Sequence, residues 1–326
     1  MTGFKSKFFG NSNDGIHSVD AYFREQVPHF FGIVLQWTQF LTGKGSAIFF
    51  LSTFAQTFFT THMKNILVPL GISDNSEQTL VYAIGLASKT QAAIYVMDSF
   101  NPSFVNAHLL NVKEVVKRNN FNRIKALVKS IDHHGLSIQM VSYEGEFLVG
   151  VNALDEKVGL DLIVCGSMPN SNNDAIFLGP TPGRLVKKTD IPVWIIPEGA
   201  TFQPPKKALF AFKKGKVKGE RSLLPLKFLQ DQFNTQLELL LVKTPAHNRK
   251  ELQIDHEIVE LSDQMTSSEN ATIYQGVLEH FRQVHPDILI VFARKRGFFE
   301  KLIASDVVFK KDFFTKTPLL VIKNRQ

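Results

Sequence analysis

The chain has 326 residues, 44% of them hydrophobic and 21% charged, a balance that excludes a disordered polar chain and suits two domains of ordinary size. Its one cysteine, Cys165, excludes an intrachain disulfide and points to a reducing, cytoplasmic setting. The net charge of +7 gathers late in the chain: residues 201–326 hold 21 basic and 14 acidic side chains, against 12 and 13 over 63–200.

Residues 1–62 stand apart, holding 12 of the 29 phenylalanines without a strand–helix alternation. Two apolar stretches, 30–41 and 47–59, flank Gly43-Lys44-Gly45. Each is shorter than the roughly 20 apolar residues a helix needs to cross a bilayer. Three readings stand: a hairpin that touches a membrane through 28–60, an apolar partner-binding extension, or a misplaced start, with Met63 directly before the first strand. Gly43-Lys44-Gly45-Ser46 lacks the glycine spacing of a phosphate loop.

From Met63 the pattern becomes regular. Residues 64–70 read as a buried strand ending at Pro69, with Asp74 to Ser76 as N-caps for a helix to about Lys89. Strand 92–98 leads to a long helix over 112–134, closed by Gly135. His133 and His134 then fall in its last turn, where the helix dipole favours a cation. Strand 136–142, helix 147–158, strand 162–165, helix 183–188 and strand 193–196 complete the series. Residues 199–205, with Gly199 and Pro204-Pro205, read as a linker. Strand 208–212, helix 222–233, strand 237–242, helix 274–284, strand 288–291, a further helix and strand 319–322 follow. Continuously apolar strands alternating with helices predict parallel sheets covered on both faces.

One pattern occurs twice. Asp161-Leu162-Ile163-Val164-Cys165 is followed by Pro192 and the strand Val193–Ile196; Asp287-Ile288-Leu289-Ile290-Val291 is followed by Pro318 and the strand from Leu319 to Ile322. Each Asp-to-Pro interval is 31 residues. This predicts a duplicated α/β domain, with 1–62 an atypical extension, domains at 63–198 and 206–326, and a second copy about 16 residues shorter in its middle. Asp161 and Asp287 read as turn residues. Cys165 reads as a buried structural thiol.

Residues 64–76, Tyr143-Glu144-Gly145-Glu146 and 161–196 resemble the universal stress protein family, and 206–325 more distantly so, making the chain similar to a tandem member. The resemblance implies two tandem doubly wound five-stranded parallel sheets of the adenine nucleotide alpha hydrolase-like type. Each has strand order 3-2-1-4-5, and the two pair through their last strands, here 193–196 and 319–322. The family's nucleotide-binding members carry Gly, two residues, Gly, nine residues, Gly, then Ser or Thr. Gly166 and Gly179 match the first and third glycines, but Pro169 and Pro180 stand where a glycine and a hydroxyl belong. Proline offers no N–H. Thr181 and Gly183 supply the next hydroxyl and amide, so Gly166, Gly179, Thr181 and Gly183 are the candidates for a residual phosphate loop. Gly71 replaces the family's nucleoside-binding aspartate. In the second copy the same ruler falls on Phe292, Lys295, Ser305 and Asp306, with no glycine.

No histidine or cysteine spacing forms a metal site, and no Gly-x-Ser-x-Gly turn is present. The clusters Lys206-Lys207, Lys213 to Lys218, Arg294-Lys295-Arg296 and Lys310-Lys311 read as a solvated face rather than a specific nucleic-acid surface. Phe210 and Phe212 lie on a buried strand. The expectation is a non-enzymatic stress-response or regulatory protein without a cofactor. It would pair internally and act through a protein partner, a homo-oligomer or a small ligand. The alternative is an ATP- or AMP-binding module, or a slow ATPase, using the first domain.

Overall fold

The computed structural model describes residues 63–70, 75–101, 112–167, 180–245, 253–293 and 317–324. The readings made for residues 1–62, Gly71, Asp74, Pro169, Gly179, the helix before Leu319, and the side chains from Arg294 to Lys311 lie outside them.

The first half runs β1 (Asn65–Pro69), α1 (Ser76–Thr90), β2 (Ala93–Phe100), α2 (Val112–Ser130), β3 (Ile138–Glu144), α3 (Phe147–Val158), β4 (Leu162–Gly166), α4 (Pro180–Lys188) and β5 (Val193–Ile196). The second runs β6 (Lys207–Phe212), a 3-10 turn (Glu220–Leu223), α5 (Leu224–Phe233), β7 (Gln236–Lys243), α6 (His256–Glu260), β8 (Gln264–Glu269), α7 (Ile273–Val284), β9 (Ile288–Ala293) and β10 (Leu319–Lys323). All ten strands join one sheet in the order β3-β2-β1-β4-β5-β10-β9-β6-β7-β8. Neighbours are parallel throughout, except that β5 and β10 run antiparallel, with Leu319, Leu320 and Val321 opposite Ile195, Trp194 and Val193.

Alternation along the strands sends side chains to two cores. One holds Ile66, Val68, Trp194, Phe210 and Leu320 beneath α1, α2, α5 and α6, through Leu80, Ile124, Leu226 and Ile258. The other holds Leu67, Ile163, Val193, Leu289 and Val321 against α3, α4 and α7, through Leu154, Leu185 and Val277. Both cores span the two halves, within one compact unit of residues Thr61–Gln326. Equivalent helices share a face while the strand direction reverses at β5–β10. The halves are therefore related by an approximate two-fold axis normal to the sheet. Their strand C-termini lie at opposite ends of it.

The repeated aspartates have a physical task. Asp161 Oδ2 accepts the N–H groups of Lys64 (2.8 Å) and Asn65 (3.0 Å). Asp287 Oδ2 accepts those of Lys206 (2.8 Å) and Lys207 (2.9 Å). Each carboxylate clamps the first strand of its own half to the strand beside it. The shared register makes Ile66 equivalent to Ala208 and Leu162 to Ile288. Gly150 and Gly276 both take the fourth position of a 12-residue helix. A Cβ on Gly150 would lie 2.6 Å from the Tyr143 ring, and one on Gly276 2.6 Å from Val242 Cγ1 and 2.9 Å from Ser268 Oγ.

Several expectations need correction. The second helix ends at Ser130, so His133 and His134 lie in the turn beyond it. There Asp132 Oδ1 accepts the His134 N–H at 2.9 Å, and His134 has φ of 49°. That local Asx bond gives the backbone an alternative to further helix. Helix α4 starts at Pro180 rather than at Gly183, because prolines at 180 and 182 fit a first helical turn whose N–H groups have no partner anyway. Asn75, within the span expected to cap α1, holds its N-cap, but its side chain makes no capping bond, donating instead to Ser167 O at 3.2 Å. Strand β8 and helix α6 escaped the sequence reading. β8 (Gln-Met-Thr-Ser-Ser-Glu) is an edge strand without an apolar run, and α6 spans 5 residues where α2 spans 19. The shortening of the second copy falls there.

The linker is packed rather than loose: Phe202 meets Tyr82 edge-on at 5.4 Å and Phe233 at 5.9 Å, joining α1 to α5. At the end of β10, Lys323 is 8% exposed, and its ammonium donates to Val186 O in the last turn of α4. Burial lowers its pKa to about 8.

Losing two charge-assisted hydrogen bonds should cost roughly 2–3 kcal/mol. Asp161→Ala and Asp287→Ala should therefore each lower stability by about that much in denaturant titration, and a loss below about 0.5 kcal/mol would dismiss the clamp. Between pH 8 and the ordinary lysine range the unfolded chain holds a proton at Lys323 that the folded chain lacks, so Lys323 makes stability rise with pH across that window. Lys323→Met should flatten that rise in melts taken from pH 7.5 to 10.

Candidate functional site

In an open doubly wound sheet, ligands bind beyond the strand C-termini where the strand order reverses. Here that point lies between β1 and β4 in the first half and between β6 and β9 in the second.

Gly166 is the last residue of β4. A Cβ there would lie 2.7 Å from Thr79 Oγ1 and 3.7 Å from Asn75 Cβ. Thr79 Oγ1 donates to Asn75 O at 2.7 Å, so it turns away only by giving up that bond. The glycine thus lets the first turn of α1 lie against the end of β4. Thr181 and Gly183 lie in the first turn of α4, which reads Pro-Thr-Pro-Gly. Prolines at 180 and 182 remove two of the four backbone donors that a helix N-terminus offers and leave that of Thr181 between them. A Cβ on Gly183 would meet nothing within 4 Å, so no close packing requires a glycine there. Of the four candidates, Gly166, Thr181 and Gly183 are placed on these two elements; Gly179 lies outside the described residues.

The next side chain, Arg184, pairs with Glu146, whose carboxylate also caps α3 by accepting the Val149 N–H at 3.1 Å. This sets an acid against the start of α4 and occupies its nearest described cation. In the second half, Phe292 holds the position equivalent to Gly166. It is 5% exposed, packed edge-on to Phe210 at 4.9 Å, and Phe210 meets Phe212 at 5.2 Å. Aromatic rings thus fill the end of β9 where the first half packs Thr79 against a glycine.

Two polar clusters went unread in the sequence. Asp98, buried at the end of β2, accepts from Asn120 and Arg123 of α2, and Ser142 Oγ donates to Asn120 Oδ1 at 2.6 Å. This network holds a helix whose one fully buried residue, among those described, is Ile124. In the second half, His280 Nε2 lies 2.6 Å from Glu238 Oε1, and Thr266 Oγ1 donates to the same oxygen at 3.3 Å. The register makes Glu238 and His280 the equivalents of Tyr95 and Leu154. The one available signal was a single acid inside each apolar strand run. Cys165 is buried, and burial raises its thiol pKa far above neutrality, which keeps it from acting as a nucleophile. Among the described residues no group of three or more His, Cys, Asp or Glu could hold a metal, and no helix is long and apolar enough to cross a membrane.

The fold is a doubly wound α/β sheet with a glycine at the end of β4. Residues 62–197 match the model of the Universal stress protein family. Comparison with solved structures finds a universal stress protein from Archaeoglobus fulgidus DSM 4304, at TM-score 0.62 and 16% identity, covering 82% of this chain and 98% of that one. A functionally unknown protein from Pseudomonas aeruginosa PAO1 matches at TM-score 0.51 and 16% identity, over 81% and 94% of the two chains. At this identity the likeness shows the fold. No curated protein matches.

Gly183→Ala should stabilise the protein by up to about 1 kcal/mol, the helix propensity difference. Gly166→Ala should lower its melting temperature, and Thr79→Ala in that background should restore part of the loss. Equal tolerance at both glycines in thermal melts would contradict the packing described for Gly166.

Proposed function

We propose that this chain is a tandem universal stress protein, a non-enzymatic stress-response scaffold in which 63–198 and 206–326 form an internal pseudo-dimer whose nucleotide site has lapsed. Acting in the cytoplasm, it would work by binding a protein or a small ligand. The observation that carries this reading is the start of α4. Its Pro-Thr-Pro-Gly turn has lost half of the backbone donors that an anion needs, and Glu146 stands beside it. The phenylalanines at 210, 212 and 292 support the same reading for the second half. Pairing of β5 with β10 supports the pseudo-dimer, since each five-stranded half on its own would expose an apolar edge.

A ligand at a hundredfold excess over its Kd stabilises the folded state by about 2.7 kcal/mol. In a domain pair of this size that is a shift of roughly 5–10 °C. Millimolar ATP with magnesium should leave the melting temperature of the full chain unchanged. A shift of several degrees, abolished by Thr181→Ala, would instead establish a nucleotide-binding module in the first half.

A further inference from the structure

We infer that the outer face of α2 docks on an anionic lipid surface, with its cations on the headgroups and the Phe121 ring between them. This goes beyond the function proposed above and does not depend on it. A local concentration of charge carries it. Helix α2 (Val112–Ser130) holds 6 basic side chains, Lys113, Lys117, Arg118, Arg123, Lys125 and Lys129, and 1 acid, Glu114. Residues 63–200 hold 12 basic and 13 acidic groups in all, so outside α2 that half keeps 6 basic and 12 acidic.

The helix packs along β2 and β3, at the outer edge of the sheet. Ile124 is buried there, and Leu127, Val128 and Ile131 lie against the same core. Two of the cations are engaged: Lys113 pairs with Glu144 at 2.9 Å, and Arg123 pairs with Asp98. Among the described residues, the side chains of Lys117, Arg118, Lys125 and Lys129 make no ion pair or hydrogen bond, and all four are exposed. Arg118, Asn122, Lys125 and Lys129 follow the spacing i, i+4, i+7, i+11, which puts them in one stripe opposite the core-facing residues. Glu114 stands at the N-terminal end of this face. The first acid beyond the helix, Asp132, accepts the His134 N–H and lies 3.1 Å from its Nδ1.

The same face carries apolar surface. Phe121 is 37% exposed, and its neighbours on the helix at i−4, i−3 and i+4 are Lys117, Arg118 and Lys125. Val115, 39% exposed, flanks the stripe on its other side. A helix face with four unpaired cations around an aromatic ring is complementary to an anionic leaflet, which takes the charges at its headgroups and the ring just beneath. Nucleic acid fits less well, because a single strand is tracked by a groove, and a helix lying lengthwise on a sheet presents a ridge. A planar surface can meet that ridge along its whole length, about 28 Å for 19 residues.

The test is co-sedimentation of the full chain with phosphatidylcholine vesicles, with and without phosphatidylserine as about a third of the lipid. The chain should bind only where phosphatidylserine is present. It should release at about 1 M salt, where the Debye length falls to about 3 Å. Each cation near an anionic leaflet strengthens binding about fivefold, so replacing Lys117, Arg118, Lys125 and Lys129 together by glutamine should weaken it at least about a hundredfold. Phe121→Ala, removing a ring with about a third of its surface left to bury, should weaken it about threefold. Replacing Lys206, Lys207, Lys216 and Lys218 by glutamine removes the same charge from the second half and should change binding less than about twofold. Unaltered thermal melts would show that each variant folds. Should the fourfold α2 variant melt early, Arg118→Gln with Lys129→Gln takes its place, with an expected loss of about 25-fold. The inference is overturned if the chain ignores phosphatidylserine vesicles, binds phosphatidylcholine alone as tightly, or stays bound at high salt. It is equally overturned if the α2 or Phe121→Ala variant binds like the parent, or if the control variant weakens binding as much as the α2 variant. Binding to an oligothymidylate with none to the vesicles would also overturn it.

Discussion

The structure depends on one antiparallel contact. Strands β5 and β10 are short, 4 and 5 residues, and buried along their whole length. An apolar strand of that kind cannot stand at the edge of a sheet, because its unpaired backbone groups and side chains would invite association. Pairing the two edges with each other satisfies both at once and converts two five-stranded sheets into one of ten. Trp194 opposite Leu320 continues one core across the seam, and Val193 opposite Val321 continues the other. Phe202 between α1 and α5, and Lys323 against the end of α4, reinforce the same join from either face.

Around that seam the two halves share what builds the sheet and differ in what lies at its ends. The aspartate clamp and the close-packed glycine at the fourth position of a 12-residue helix persist in both. Tyr95 and Leu154 of the first half give way to Glu238 and His280, a polar pair within the apolar layer whose burial is offset by its mutual hydrogen bond. Gly166, against which Thr79 of α1 packs, gives way to Phe292, which packs against Phe210 instead. Positions that set the sheet are constrained by geometry in both halves, whereas the equivalent ends of β4 and β9 are filled differently, by a helix turn against a glycine and by a ring against its neighbours.

Much of this order was legible in the sequence because burial writes itself as apolar runs. The strands at 193–196 and 208–212 and the helix at 147–158 lie within a residue of where pattern alone puts them. The Asp-to-Pro interval pointed to two equivalent halves, though not that each aspartate holds two backbone N–H groups 80 or more residues away in sequence. Strand β8 was illegible, since an edge strand half open to water needs no apolar alternation. The end of α2 was misplaced because the positive-φ turn at His134 and Gly135 follows an irregular stretch beyond the last helical residue, Ser130, instead of capping the helix directly. At the candidate site, the prolines at 169 and 180 were visible as missing donors. The acid of Glu146 beside Arg184 was not, because 38 residues separate them.

The account treats the two halves as a single folding unit held at the seam. Native-state hydrogen exchange of the full chain measures this directly, by following peptides from β5 and β10 beside those from β1 and β6 as denaturant rises. If the seam joins the halves into one cooperative body, the amides of all four strands will exchange through the same global opening, with one free energy and one denaturant dependence. If β5 and β10 exchange through a lower-energy opening while β1 and β6 stay protected, the halves are separate domains in loose contact, and the account is wrong.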